Sequence, residues 1–150
     1  MTIDELTEHG VERMDDTEIR TFLAEQGVGV LGIPTQELPY MLPLSYGFDG
    51  EENLYFTYVV GETSQKTLLS DEQSAARFLV FEAPSETEWA SVSLDGTLTR
   101  VPDHEVDSLG DSLEANLRPD ALRDALESED ARVYRFWIQN MTGIRNPHSD

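Results

Sequence analysis

Cysteine is absent from all 150 residues. That removes disulfides, thiol catalysis, iron–sulfur clusters and thiolate zinc sites in one step. Lysine is almost absent as well: nine arginines accompany a single lysine, Lys66. Ten basic against thirty acidic residues leave a formal charge of −20. With no basic patch to displace counterions, nucleic acid is not an expected partner. No apolar run approaches membrane-spanning length. The opening stretch MTIDELTEHG has no basic region followed by an apolar core, so it does not read as a signal peptide. The expectation is a soluble cytoplasmic protein with no membrane partner. His9, His104 and His148 lie far apart and form no ligand pair, so neither a metal nor a haem site is expected. No glycine-rich nucleotide fingerprint is present. Ser45, Ser64 and Ser91 have no convincing histidine partner for a hydrolytic triad.

What is present begins with the acids. They are scattered along the chain rather than gathered in a tail. Together with lysine depletion this suggests a solvated acidic skin, tolerable where concentrated salt screens self-repulsion, and hence a halophilic source. The hydrophobic share of 39% suits one folded domain over residues 1–150, with loose arms at 1–12 and 144–150.

Apolar patterning then gives the elements. Asp15 to Glu18 reads as a helix start, Ile19, Phe22 and Leu23 as its apolar face, and Gly27 as its close. Strands are expected at Val28–Ile33, at Tyr40–Phe48 with an interruption at Pro43, and at Leu54–Val60 after the Asp49-Gly50 turn. A short helix follows at Gln65–Leu69. Further strands are expected at Ala75–Glu82, at Glu88–Arg100 with a bend at Asp95-Gly96, and at Ala131–Thr142. Helical spacing marks Pro102–Asn116 and Pro119–Ser128. Neighbouring hairpins outnumber strand–helix–strand units. The expected fold is therefore mainly β, a small antiparallel barrel of about six strands with peripheral helices.

Two segments carry candidate chemistry. Gly61–Ser64 is a turn rich in hydroxyls ahead of a helix, and Lys66 sits at that helix start. Backbone N–H groups there favour an anion, the Thr63 and Ser64 hydroxyls can add hydrogen bonds, and Lys66 adds a point charge, which suits a phosphate. The second segment is Pro43-Leu44-Ser45-Tyr46, where a broken strand would leave backbone donors and acceptors for a flat heterocycle. Thr57 and Tyr58 are expected on the strand that pairs with it. A ring over these strands and a phosphate at the turn imply a ligand of nucleotide length.

The ordered segments EIRTFLAEQGVGVLGI, PYMLPLSYGFDGEENLYFTY, GETSQKTLLSD, ARFLVFE, WASVSLDGTL and VYRFWIQNMTG resemble the pyridoxamine 5′-phosphate oxidase-like FMN-binding split-barrel family. The small single-domain branch that includes nitroimidazole-reductase-like proteins is the nearest in pattern. The resemblance implies a six-stranded Greek-key split barrel working as a homodimer, with FMN in clefts between subunits. It implies a phosphate held by Thr63, Ser64, Gln65 and Lys66. The ring edge would meet the backbone of Pro43, Leu44, Ser45 and Tyr46, near Thr57 and Tyr58. The partner would cover the ring with the strand around Trp89 and Ser91 or with the last strand. The implied activity is flavin-mediated hydride transfer to a small molecule. Thr57 stands where many relatives carry a histidine, so no role for that histidine carries over. Basic residues to grip pyridoxal phosphate are not recognisable. A barrel for the deazaflavin F420 ranks lower, because its acidic tail would need more cations. A non-catalytic flavin-binding barrel, or one without cofactor, is the third alternative.

Overall fold

The computed structural model describes residues 3–59, 74–106 and 131–147. In chain order the elements are α1 (Ile3–Glu8), β1 (Glu12–Met14), α2 (Asp16–Glu25), β2 (Val28–Ile33), β3 (Tyr40–Ser45), β4 (Gly47–Phe48), β5 (Asn53–Val59), β6 (Ser74–Glu82), β7 (Trp89–Arg100), α3 (Asp103–Val106) and β8 (Ala131–Asn146). The helices expected at Gln65–Leu69 and Pro119–Ser128 lie outside the described residues. So does all of the Pro102–Asn116 helix beyond Val106.

Every strand pairing is antiparallel, and the hydrogen-bonded order is β3-β2-β6-β7-β8-β5-β4, with β1 added to β8. The two ends of that order, β3 and β4, are consecutive in the chain and joined through Tyr46 alone. They are two halves of one bent strand. Counted that way, six strands curl into a barrel and β1 is a short supplement. The expected mainly β, antiparallel split barrel is the observed fold.

Alternation builds the wall. Leu31, Ala76, Phe78, Val80, Val92, Leu94, Leu54, Phe56 and Phe136 face inward and are buried. Aromatic rings pack through the interior: Phe78 lies 4.9 Å from Phe56, 5.6 Å from Tyr46 and 6.3 Å from Phe136, centroid to centroid. A barrel filled in this way leaves a ligand only its outer wall. The β7 strand bends where expected, with a register shift between Asp95 and Gly96.

Helix α2 forms where the pattern places it. Asp15 caps it, accepting from the Glu18 N–H at 2.8 Å, while the Glu18 side chain reaches back to the Asp15 N–H. Ile19, Phe22 and Leu23 are buried in the core, each worth about 1.5–3 kcal/mol relative to exposure. Gly27 does not close the helix in a left-handed turn. The C-cap is Gln26 in extended conformation, and its N–H donates to the Phe22 carbonyl.

Two further corrections concern the ends and the break. The expected loose arms include ordered elements: β1 pairs with Gly143–Arg145 of β8, and Arg145 bonds both Glu12 and Glu18. The strand is also not interrupted at Pro43. Residues Tyr40 to Ser45 run in unbroken register with β2, because β3 lies at the end of the sheet order and a proline fits an edge. The break falls at Tyr46.

Tyr46 is fully buried, and its N–H donates to the Gly27 carbonyl at 3.0 Å. Its hydroxyl donates to the Leu23 carbonyl at 2.7 Å, satisfying one of the acceptors that the end of α2 leaves open. Burial holds this phenol protonated far above its ordinary range. Tyr46→Phe is therefore expected to cost about 1–3 kcal/mol, the range for stranding a buried acceptor. A lower urea midpoint with unchanged slope would register it, and an unchanged midpoint would remove Tyr46 as the tie between barrel and helix.

Candidate functional site

The bend at Tyr46 opens the wall. Hairpin β4–β5 pairs Gly47 with Tyr55 and Phe48 with Leu54, and the ladder stops there. Continuing the register would set Ser45 opposite Thr57 and Leu44 opposite Tyr58. Instead β3 leaves to pair with β2, while Thr57 and Tyr58 pair with Val133 and Arg132 of β8. The expected pairing of Pro43–Tyr46 with Thr57 and Tyr58 is thus replaced by a split between the two strands, which remain neighbours.

Alternation tells which backbone groups face the split. In antiparallel strands, successive residues turn their N–H and C=O to opposite sides. Tyr46 directs its N–H to Gly27, next to β2, so Leu44 also faces β2, and Pro43 and Ser45 face the open edge. On β5, the Asn53 carbonyl accepts from the Asp49 N–H on the β4 side, and the Glu52 carbonyl accepts from the Ile138 N–H on the β8 side. The same alternation turns Thr57 toward the split. Ser45 and Thr57 therefore present backbone polar groups to the split from opposite strands.

The six expected residues of these two strands divide accordingly. Pro43 and Ser45 are exposed on the outer wall, and Pro43 has no N–H to give. Leu44 and Tyr46 have side chains in the core, and the Tyr46 N–H is already committed to Gly27. Tyr46 is thus a structural pivot whose N–H is already used. Tyr58 turns its backbone to β8. The phosphate group of residues, Thr63, Ser64, Gln65 and Lys66, lies outside the described residues.

Among the described residues, two of the hollows bear on the site. The larger, about 600 Å³, runs over β2, β6 and β7 beneath the 34–39 loop, with Val30, Met41, Leu79, Ser93 and Gln139 among its lining. Arg77 and Asp95 edge it and bond each other at 2.7 Å. That hydrogen bond and the adjacent carboxylate charge raise the Arg77 pKa. Val28, Met41 and Phe81 stand exposed on the same outer side. The smaller hollow, about 370 Å³, is polar and is lined by Glu52, Asn53, Thr97, Thr99, Arg135 and Trp137. Sequence reading passes over this cluster. The available signal is an arginine set inside the aromatic strand Tyr134-Arg135-Phe136-Trp137.

A filled barrel of six strands, opened along one side where a strand changes partner, defines the split-barrel class. Residues 15–145 match the family model for pyridoxamine 5′-phosphate oxidase, and the chain belongs to that family. No curated protein matches. Among solved structures, an FAD-binding protein from Mesorhizobium loti shares 22% identity at a TM-score of 0.68, over 90% of this chain and 97% of that one. The FAD and heme binding protein from Mycobacterium smegmatis shares 16% at 0.70, over 94% of this chain and 77% of that one. An FAD binding protein from the same species shares 14% at 0.59, over 90% and 97%. At these identities the likeness is one of fold. No described helix is long and apolar enough to cross a membrane.

Proposed function

We propose that this chain binds a flavin along the split and uses it in electron transfer to a small molecule. The supporting observation is the pair of open backbone edges at Ser45 and Thr57 in a member of this family. The rim of an isoalloxazine alternates donors and acceptors, which is the complement a strand edge offers. Ser45 and Thr57 would position the ring, and Thr63, Ser64, Gln65 and Lys66, which lie outside the described residues, would hold the phosphate. The flavin, when bound, supplies the hydride chemistry. The protein's part is to orient the ring and to shield it from water. A second copy of the chain, covering the exposed Val28, Met41 and Phe81, would complete that shield as a homodimer.

FMN is the form this reading favours, since a single phosphate group suits one lysine. FAD is the second reading, favoured by the names of the fold relatives.

The test is a titration of FMN and of FAD with purified protein, following quenching of flavin fluorescence, with light scattering on the same samples. One FMN per chain and two chains per particle are expected. Ser45→Pro removes the N–H facing the split, together with the hydroxyl, on an edge that already accepts Pro43. It should weaken FMN at least tenfold, as should Lys66→Ala, in line with a charge-assisted bond of about 1.5–3 kcal/mol. Tighter binding of FAD would change the cofactor. Failure of both flavins to bind the folded protein would end the flavin reading.

A further inference from the structure

We infer that the small polar hollow on the outer wall is a binding site for a planar aromatic monocarboxylate. This inference does not rest on the flavin reading. Arg135 and Trp137 are two apart on β8 and share its outer face. The register extends them into two rows across three strands: Thr99, Arg135 and Tyr55 in one, Thr97, Trp137 and Asn53 in the other. The Arg135 guanidinium lies over the Tyr55 ring, 5.7 Å from its centre.

Three other described arginines have an acceptor for a guanidinium nitrogen. Arg77 bonds Asp95, Arg145 bonds Glu12 and Glu18, and Arg20 donates to the Glu51 carbonyl. With three acids to every base, a carboxylate for each arginine is easily found. What sets Arg135 apart among the described residues is its buried Nε, which has no protein acceptor. A buried donor without an acceptor is costly, and the two terminal nitrogens of the same guanidinium, which are not among the buried unsatisfied atoms, are the ones a ligand would meet. The guanidinium fork matches a carboxylate in two parallel bonds. The Thr97 and Thr99 hydroxyls line the same hollow, and Trp137, 45% exposed, offers an indole face one row away.

Charge and size narrow the ligand. Glu52 lines the hollow too, and the chain carries −20 overall, so each added negative charge on a ligand meets repulsion. One anionic group is favoured over a dianionic phosphate. About 370 Å³ sits near the low end of small-molecule sites and suits one or two rings. A ring bearing a hydrogen-bond donor opposite its carboxylate would turn that donor toward Glu52.

The test uses the full chain carrying Trp89→Phe, so that Trp137 is the sole tryptophan reporter. Benzoate and 4-aminobenzoate are titrated at constant ionic strength, with and without FMN present. Saturable change in Trp137 fluorescence is expected for both, stronger for 4-aminobenzoate and weaker for cyclohexanecarboxylate. Arg135→Gln should raise the dissociation constant at least tenfold, and Arg135→Lys, which keeps charge but loses the fork, should fall between. Thr99→Val supplies a second variant in case Arg135→Gln does not fold, and should weaken binding severalfold. No saturation in the parent protein overturns the site. So does equal binding by Arg135→Gln, or equal displacement by chloride. A protein that binds benzoate but no flavin would keep this site and lose the flavin reading.

Discussion

Phe78→Ala is expected to destabilise the protein by about 3–5 kcal/mol, the range for deleting a buried aromatic side chain. Phe78 touches three of the barrel's walls through its ring neighbours: Tyr46 at the pivot, Phe56 on β5 and Phe136 on β8. Its relative exposure is zero. Collapse around the cavity is opposed by Gly29, whose position already lies against the ring: a Cβ built there would come 2.6 Å from the Leu79 carbonyl oxygen and the same from the Phe78 Cζ. The cavity thus borders strand backbone that is fixed by pairing on both sides. Chemical unfolding followed by circular dichroism would measure the loss, and a loss under about 1 kcal/mol would mean that the interior repacks freely.

Gly96→Ala is expected to cost about 3 kcal/mol, the upper end for overpacking, although it adds only one methyl group. The methyl would land on the Trp137 carbonyl oxygen, with the Phe136 ring 3.0 Å away. Both belong to β8, which Gly96 meets at the register shift of β7. Backbone of a central strand cannot yield as a side-chain tip can. The bend would have to straighten, carrying Thr97 and Thr99 away from Trp137 and Arg135. The variant should lose thermal stability and weaken benzoate binding together. Wild-type stability in Gly96→Ala would show that the bend relaxes at little cost.

The sequence made much of this legible, for local reasons. Alternation at Leu79 and Val80, or at Val92 and Leu94, is a property of one strand and can be read from one strand. The cap at Asp15 and the bend at Gly96 are likewise local. What could not be read was pairing beyond the local hairpin at Asp49-Gly50. Pro43 attracted the expectation of a break because proline lacks a donor, yet an edge makes that loss harmless. The actual break at Tyr46 depends on Gly27 and Leu23, residues brought to it only by the closed fold. Arg145 and Glu12 tie the two ends of the chain together across 133 positions, so the ends read as loose arms. A shared pocket for Ser45 and Thr57 is expected from the sequence only if a ladder joins them. The ladder is missing there, and what the two residues share is a split between strands.

The open side of β3 also bears on solubility. An unpaired strand edge invites another strand, and the usual outcome of such an invitation between copies is a growing sheet. Here Pro43 breaks the row of donors, and the Tyr46 bend ends it two residues after Ser45's predecessor, Leu44. Too few contiguous hydrogen-bonding positions remain for a guest strand to register. The edge can still serve something shorter and flatter than a peptide. The same proline that looked like a flaw in a strand acts as a filter on what may dock there.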